Sequence, residues 1–245
     1  MLDDPTPALP GLSQEPLPAA SPPGLLHLEG ARTLLRYRTY FRGETADCGS
    51  LLRMAQSLRY QVYCLERNFE EAAHFPDRLE TDRYDAQSVH GVLFYRPWDK
   101  AIGTTRLILS PDGPASLPFH ALLGKAGLAR GGFPSAGMAE VSRFAISRSF
   151  RPDDGERSRL PCLGLAQLLL RLSLMHGVTH WAALMQPSLL RMLARMGIEF
   201  VPVGPLVSYR GLRQPSCCEL ASMLDGLYRR YPANWQIVTD GGRLA

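Results

Sequence analysis

The fold of this chain is constrained most by the order of its apolar patterns. From residue 89 onward, strand patterns come first, and alternating helix and strand patterns follow them. Residues 89–95 and 101–109 have the pattern of strands, and their short connection predicts an antiparallel hairpin. A further strand is predicted over residues 139–147. The pattern then alternates, with a helix at 162–176, a strand at 178–185, a helix at 187–196 and a strand at 198–203. This order predicts an α/β domain with a central mixed, largely antiparallel sheet flanked by helices.

The ends of the chain differ in character. Seven prolines fall within residues 1–24, which favours a disordered or extended tail ahead of a single domain over residues 25–245. Residues 32–41 alternate in a way that predicts a strand, and residues 49–67 have apolar side chains at helical spacing. A last amphipathic helix is predicted over residues 219–231.

Composition excludes several classes of protein. A hydrophobic fraction of 45% and a charged fraction of 20% are those of a globular chain rather than a wholly disordered one. No apolar run reaches the roughly 18 residues of a membrane-spanning helix, so the protein is not expected to be integral to a membrane. Asp3 and Asp4 occupy positions where a signal peptide carries basic residues, which favours a cytoplasmic location. Contact with a membrane surface stays open.

The cysteines argue against two kinds of covalent or metal framework. Their number, five, is odd, and no C-x-x-C pair occurs among them. A disulfide framework and a structural zinc site are therefore not expected, and no metal is predicted. Reduced thiols are the simplest interpretation.

Two polar clusters lie before the predicted hairpin. Arg59 and Tyr63 are four residues apart and share one helical face. The loop that follows, residues 66–85, holds seven acids and three bases, among them Asp82 and Asp85. Such carboxylates can orient a cationic substrate, while a solvated loop is the alternative. For Arg59 the alternative is an ordinary surface arginine beside a half-buried tyrosine.

Two more clusters lie on predicted strands. Arg106 lies in an apolar strand and needs a partner if its guanidinium is buried, whereas on an edge strand it would face water. Glu140 and Arg143 point to opposite faces of a regular strand. A site that uses both requires a bulge, and bulges occur beside active sites. An ordinary structural salt bridge is the alternative.

Positive charge follows the last of these strands. Residues 141–213 contain ten arginines, no lysine and four acids. Four of the arginines fall in one loop: Arg148, Arg151, Arg157 and Arg159. This loop suits an anionic partner, such as a phosphopantetheine phosphate, an acidic carrier protein or a nucleic-acid backbone. The net charge of +4 is mild and no aromatics are interleaved, so nucleic acid is not expected.

Taken in order, these clusters resemble the acyl-homoserine-lactone synthase (autoinducer synthase) family and its N-acyl amino acid synthase relatives. The residues that carry the resemblance are Arg59, Tyr63, Asp82, Asp85, Arg106, Glu140 and Arg143. The chain is also similar to bacterial acyltransferases associated with the PEP-CTERM/exosortase system, in residues 75–85, 140–143 and 204–211. The resemblance extends from about Arg32 to Pro215.

The resemblance implies a GNAT-like acyltransferase fold with no bound cofactor. It also implies an acyl thioester donor, usually an acyl carrier protein with acyl-CoA as the alternative, and a small amine acceptor. Tyr63 and Phe69 stand where the lactone synthases carry Phe and Trp, and both departures favour an amino acid or similar amine over S-adenosylmethionine. Lactone synthesis, acetyl-CoA-dependent acetylation and a non-catalytic acyl-lipid-binding module remain alternatives.

The resemblance also suggests roles for individual residues. Glu140 would assist the acceptor ammonium in losing a proton, and Arg143 would hold Glu140 or a substrate carboxylate. Arg106 would bind the acceptor carboxylate, and Asp82 and Asp85 would anchor its ammonium or fix the loop. The predicted site comprises catalytic Glu140 and Arg143, substrate-binding Arg59, Tyr63, Phe69, Asp82, Asp85, Arg106, Ser142 and Phe144, and carrier-binding Arg148, Arg151, Arg157 and Arg159.

Three further expectations concern the reaction. Backbone N–H groups at a splayed strand would stabilise the tetrahedral oxyanion. An apolar tunnel for the acyl chain is predicted from residues 163–174 and 181–185, although an ordinary core is the more common place for any one of these side chains. A covalent acyl-cysteine route is disfavoured because Cys64 and Cys162 lie in apolar helical contexts without a neighbouring histidine in the sequence.

Overall fold

The computed structural model describes residues 23–111, 113–123, 134, 136–150 and 159–245. Its longer α-helices are α1 (Pro23–Tyr40), α2 (Gly49–Arg59), α3 (Leu160–Met175), α4 (Pro187–Ala194), α5 (Leu220–Arg230) and α6 (Pro232–Val238). The helix predicted over residues 49–67 continues beyond α2 as a π-helical segment, Tyr60–Glu66. Its strands are β1 (Phe41–Thr45), β2 (Ser88–Tyr95), β3 (Lys100–Ile108), β4 (Met138–Ile146), β5 (His180–Met185), β6 (Val201–Pro202), β7 (Val207–Ser208) and β8 (Leu212–Glu219). The predicted tail, residues 1–24, lies outside the described residues except for Pro23 and Gly24, which begin α1.

The described strands form one mixed sheet in the order β1-β2-β3-β4-β5-β8-β6, with β7 paired to β8. The β4–β5 pair is parallel, and the other pairs are antiparallel. The predicted α/β architecture with a largely antiparallel sheet is therefore confirmed. Within the described ranges, no helix is both long and apolar enough to span a bilayer.

Helices cover both faces of the sheet near β2. Gly91 faces α3, because a Cβ built on it would lie 3.2 Å from Leu168. Val92, the next residue, packs instead with Ala55 of α2. Successive strand residues point to opposite faces, so α2 and α3 lie on opposite sides of the sheet. Nearly every side chain of α3 is buried, as expected of a helix that is apolar on all sides.

The predicted hairpin and the predicted alternation of helices and strands are both present. β2 and β3 pair antiparallel from Ser88↔Ile108 to Tyr95↔Lys100. The predicted strands and helices after residue 138 correspond to β4, α3, β5, α4 and α5. A short helix covers residues 118–123.

The strand predicted over residues 32–41 is wrong, because residues 32–40 belong to α1 and only Phe41 belongs to a strand, β1. The buried side chains of residues 32–40 are Leu34 and Tyr37, three residues apart, and Phe41 follows four residues later as β1 begins. That spacing is helical, and α1 packs against α6. The strand predicted over residues 198–203 is reduced to Val201–Pro202.

Gly164 shows how tightly α3 packs against α1. A Cβ there would lie 2.7 Å from the hydroxyl of Tyr37 and 3.0 Å from Leu93 Cδ1, so the contact has no room for a methyl group. We expect Gly164→Ala to lower the free energy of unfolding by about 1–3 kcal/mol, as overpacking does. Gly49→Ala is the control, because nothing lies within 4 Å of its Cβ position. Urea unfolding of both variants checks this, and equal stabilities would contradict it.

Candidate active site

A pocket opens where β4 and β5 separate. The two strands pair in parallel from Met138↔His180 to Val141↔Ala183. Both continue beyond that point but no longer pair with each other. The separation leaves a cavity of about 480 Å³, which we call the splay pocket. Residues 140–146 of β4 form one side, and the end of β5 with the start of α4 forms the other.

A β-bulge in β4 allows both predicted catalytic residues to serve this pocket. Arg106 of β3 lies opposite Ser142, whereas Thr104 lies opposite Ala145. Two residues of β4, Arg143 and Phe144, therefore face one residue of β3. Arg143 takes a left-handed backbone conformation with φ +50°, which is uncommon for a residue with a side chain. The bulge that a shared site requires is present.

Six charged side chains form a closed ring, here called the charged ring, in which arginines and acids alternate. In ring order they are Arg59, Glu80, Arg143, Asp82, Arg106 and Asp85. Each is joined to the next by an N–H···O hydrogen bond of 2.5 to 3.0 Å. The ring connects α2, the acidic loop and strands β3 and β4, so it holds the loop against the sheet.

Arg59 and Arg106 belong to the interior rather than the surface. Their side chains are 0% and 1% exposed, which makes both surface interpretations wrong. Four of the five N–H groups of Arg106 are used by Asp82, Asp85 and Ser142. Arg106 therefore has no two-donor edge left for an acceptor carboxylate, and the role predicted for it does not fit the structure.

Arg143 also differs from its predicted role. It donates to Glu80 and Asp82 rather than to Glu140. Burial would raise the pKa of Asp82, but the hydrogen bond and charge of Arg106 outweigh burial and lower it to about 2. The pKa values of Glu80 and Asp85 are lowered in the same way by their arginine partners. The ring carboxylates are therefore ionised at neutral pH.

Glu140 lies apart from the ring and is electrostatically different. Its side chain is buried, and its Oε2 accepts a hydrogen bond of 2.7 Å from the backbone N–H of Phe119. Burial raises the pKa of Glu140 to about 8, although that N–H and the charges of Arg106 and Arg143 oppose the shift. A carboxyl group of this kind is largely protonated at pH 7 and becomes a base near pH 8.

Aromatic rings and guanidinium groups form one wall of the splay pocket. Arg143 lies over the ring of Tyr63 at 5.1 Å, and Arg213 lies over the ring of Phe69 at 5.3 Å. The two rings are 6.0 Å apart. Ser142 and Phe144 of β4 also line the pocket, so the structure brings them together with Tyr63 and Phe69 around it, whereas Arg59 of α2 does not line it.

The apolar wall matches only part of the prediction. The leucines of residues 163–172 pack in the core, Leu174 is exposed, and none of them lines the pocket. Leu184 and Met185 do line it, together with Leu189 and Met192 of α4. The tunnel predicted from residues 163–174 is therefore wrong, because α3 reaches the pocket only at Cys162.

The cysteines near the site are poor nucleophiles. All five cysteines lie among the described residues and are free thiols. Cys162 lines the pocket, but burial raises its pKa to about 12. Burial also raises the pKa of Cys64. Neither thiol ionises at neutral pH, which agrees with the expectation that the reaction does not pass through an acyl-cysteine.

The predicted carrier-binding loop is only partly described. Arg151 and Arg157 lie outside the described residues. Arg148 and Arg159 are exposed, and Arg148 Nη1 donates to the backbone carbonyl of Glu66 at 2.9 Å.

Sequence reasoning missed several residues of the site. Glu80 joins Arg59 to Arg143 in the ring, and Arg210 pairs with Glu70 at the pocket. Arg213 lines the same pocket. Glu80 and Arg210 lie in two segments that carry the resemblance, 75–85 and 204–211, but neither was distinguished there as a site residue. Arg213 was one of ten arginines in residues 141–213.

Comparison with known proteins places the fold and the family. The model of the N-acyl amino acid synthase FeeM family matches residues 54–221, more than half of the chain. No curated protein matches the chain in sequence.

Solved structures share the fold at low sequence identity. BjaI, a CoA-dependent acyl-homoserine lactone synthase solved with SAM and isopentyl-CoA, has a TM-score of 0.57 and 20% identity over 84% of this chain and 89% of its own. The AHL synthase LasI has a TM-score of 0.52 and 20% identity over 73% and 88%. FeeM from uncultured soil microbes has a TM-score of 0.54 and 16% identity over 77% and 96%. The predicted GNAT-like acyltransferase fold is confirmed.

Proposed function

Because this chain belongs to the FeeM family of N-acyl amino acid synthases and is an acyltransferase, we propose that it moves a fatty acyl group from the thioester of an acyl carrier protein to the amine of an amino acid or similar small acceptor. The observation that best supports this proposal is Glu140, a buried carboxyl group with a pKa raised to about 8, in a pocket with one polar and one apolar wall. Proton removal from an ammonium is the chemistry that such a group performs at mildly alkaline pH.

The reaction begins with that proton. The carboxylate of Glu140 takes a proton from the acceptor ammonium, directly or through a water molecule, and leaves a neutral amine. The amine nitrogen attacks the thioester carbonyl, and the C–N bond forms. The tetrahedral intermediate then expels the thiol, which leaves with a proton from the nitrogen as the C–S bond breaks. The proposed oxyanion donors are backbone N–H groups on the edge of β4 that β5 leaves unpaired after Val141.

The charged ring has a positioning role in this proposal. Arg59, Asp82, Asp85 and Arg106 hold the acidic loop to the sheet and do not need to touch the substrate. Arg143 brings the bulged part of β4 into the same network. Ring charges are fixed and paired, so they polarise the pocket without reorganising during the reaction.

The donor fits the other wall. Leu184, Met185, Leu189 and Met192 provide apolar surface for an acyl chain. Arg148 and Arg159 are exposed and belong to the loop that we propose as the carrier-docking site, so the donor KM should rise with ionic strength. Acyl-CoA is the alternative donor, and its KM would depend less on this loop.

Mass spectrometry of organic extracts tests the proposal. Cells that express the wild type are compared with cells that express Glu140→Gln at the same level. New N-acyl amino acids in the wild-type extract alone would support the proposal and identify the chain length and acceptor. An acyl lactone would favour S-adenosylmethionine as acceptor instead. If purified protein given acyl carrier protein and acyl-CoA donors of several lengths transfers nothing, a non-catalytic acyl-binding role replaces the proposal.

A further inference from the structure

Arg213 is a buried cation of the splay pocket that no described acid neutralises. Its residue is 9% exposed, and it lies on β8 among the residues that line the pocket. Its guanidinium donates to the backbone carbonyls of Leu212 at 3.2 Å and Arg210 at 2.6 Å. In the part of the chain that the structure describes, no carboxylate lies within ion-pair distance of it, and three of its five N–H groups make no hydrogen bond.

The other buried arginines of the site are paired. Arg59, Arg106 and Arg143 each bind two acids of the charged ring, and Arg210, which is exposed, pairs with Glu70. Burial lowers the pKa of Arg213 and outweighs the opposing effect of Tyr63, and the charge of Arg210 lowers the pKa further. A buried charge without a partner is costly, so this position favours an anionic ligand.

The position of Arg213 connects it to the proposed reaction. It lies over Phe69, on the aromatic wall that also includes Tyr63 and Arg143. Tyr209, in the hairpin between β7 and β8, lies close enough to Glu140 for its charge to add to burial in raising the tyrosine pKa. The hairpin that carries Arg213 therefore borders the catalytic carboxyl group.

We propose that Arg213 is the residue that binds the carboxylate of an amino acid acceptor. This inference rests on the function proposed above and assigns the residue that recognises the acceptor. The planar guanidinium offers two parallel N–H donors to a carboxylate, a geometry that an amide or an uncharged amine cannot match. Arg106, whose donors are occupied, is then not needed for this role.

The experiment compares acids with their amides. Purified wild type, Arg213→Gln and Arg213→Lys are assayed for thiol release with the common L-amino acids and with the corresponding amino acid amides. We expect the wild type to prefer the acid, and Arg213→Gln to raise the KM for the acid about 10- to 100-fold while the KM for the amide and the donor stays the same. Arg213→Lys should fall between the two. Arg191→Gln is the matched control, an exposed arginine of α4 outside the pocket.

Other outcomes overturn the inference. Equal losses with acid and amide would mean that Arg213 only shapes the hairpin, and a rise in donor KM alone would assign it to a donor phosphate. If the wild type transfers nothing to any amine, the proposed function fails, and thermal-shift binding of the same amino acids then decides about Arg213. Stabilisation of the wild type but not of Arg213→Gln would support the carboxylate site, and equal or absent stabilisation would contradict it.

Discussion

Glu140→Gln is expected to lower kcat about 10²- to 10⁴-fold, the usual contribution of a general base. Glutamine has nearly the same shape and keeps an oxygen that can accept the hydrogen bond from the Phe119 N–H. It cannot take a proton from an ammonium. Thiol release from the acyl donor at saturating acceptor measures the loss, and unchanged KM values would show that the pocket is intact.

The pH profile separates this role from a structural one. Because burial places the pKa of Glu140 at about 8, the wild-type rate should rise with pH and level off above that value. In Glu140→Gln the rise should be lost or should follow the pKa of the acceptor amine alone. Profiles of the same shape in both proteins would contradict a general-base role.

The same substitution has an effect of opposite sign on stability. A carboxyl group whose pKa rises from 4.5 to about 8 on folding binds more protons in the folded state between these values. Wild-type stability should therefore fall as pH rises through this window, by at most about 1.4 kcal/mol per pH unit. Glu140→Gln should lack this slope and be the more stable protein at pH 9, which thermal unfolding at several pH values would show.

Arg106→Met is expected to lower the free energy of unfolding by about 3–5 kcal/mol, the cost of removing one partner from a buried ion pair. Its guanidinium is 1% exposed and binds Asp82 and Asp85. Without it, the charged ring opens and two acids retain a single arginine each. Urea unfolding at pH 7 measures the loss.

The control for Arg106→Met is an arginine with two acids at the surface. Arg42 pairs with Glu44 and with Asp99, which is 81% exposed, so Arg42→Met should cost at most about 1 kcal/mol. Arg106 lowers the pKa of Asp82 to about 2, so the Asp82–Arg106 pair stabilises the fold above about pH 4 and loses this effect as pH falls toward 2. The difference in the free energy of unfolding between wild type and Arg106→Met should therefore become smaller over that range. A loss no larger than that of Arg42→Met would contradict the prediction.

The parts of the fold that could be predicted are those whose burial follows a local period. β2 and β3 show apolar runs separated by a short turn, and α3 is apolar on all sides, so each was recognisable alone. β8 was not, because it contains Arg213 and Pro215 and is buried by its position between β5 and β6. The pattern of apolar residues within these eight residues does not show that β8 lies between two other strands.

The site shows the same division. Arg106 in an apolar strand indicated a buried partner, and the requirement for a bulge at Glu140 and Arg143 followed from strand geometry alone. Which of seven acids would reach Arg106 depended on how the loop folds over β3, which is a tertiary property. The left-handed conformation of Arg143 has no marker in the sequence, since neither Gly nor Asn occupies that position.

The bulge makes the length of β4, and not only its composition, a determinant of activity. Deleting Phe144 would restore a regular ladder with β3 and send the Arg143 side chain toward the apolar core beneath α3. Of the predicted site residues, only Phe144 would be missing from the sequence. The acidic loop would nevertheless lose its contact with the Arg143 guanidinium. A chain in this family that gains or loses one residue here would still align at every motif. Its Arg143 equivalent would point to the other face of the sheet, and the site would not form.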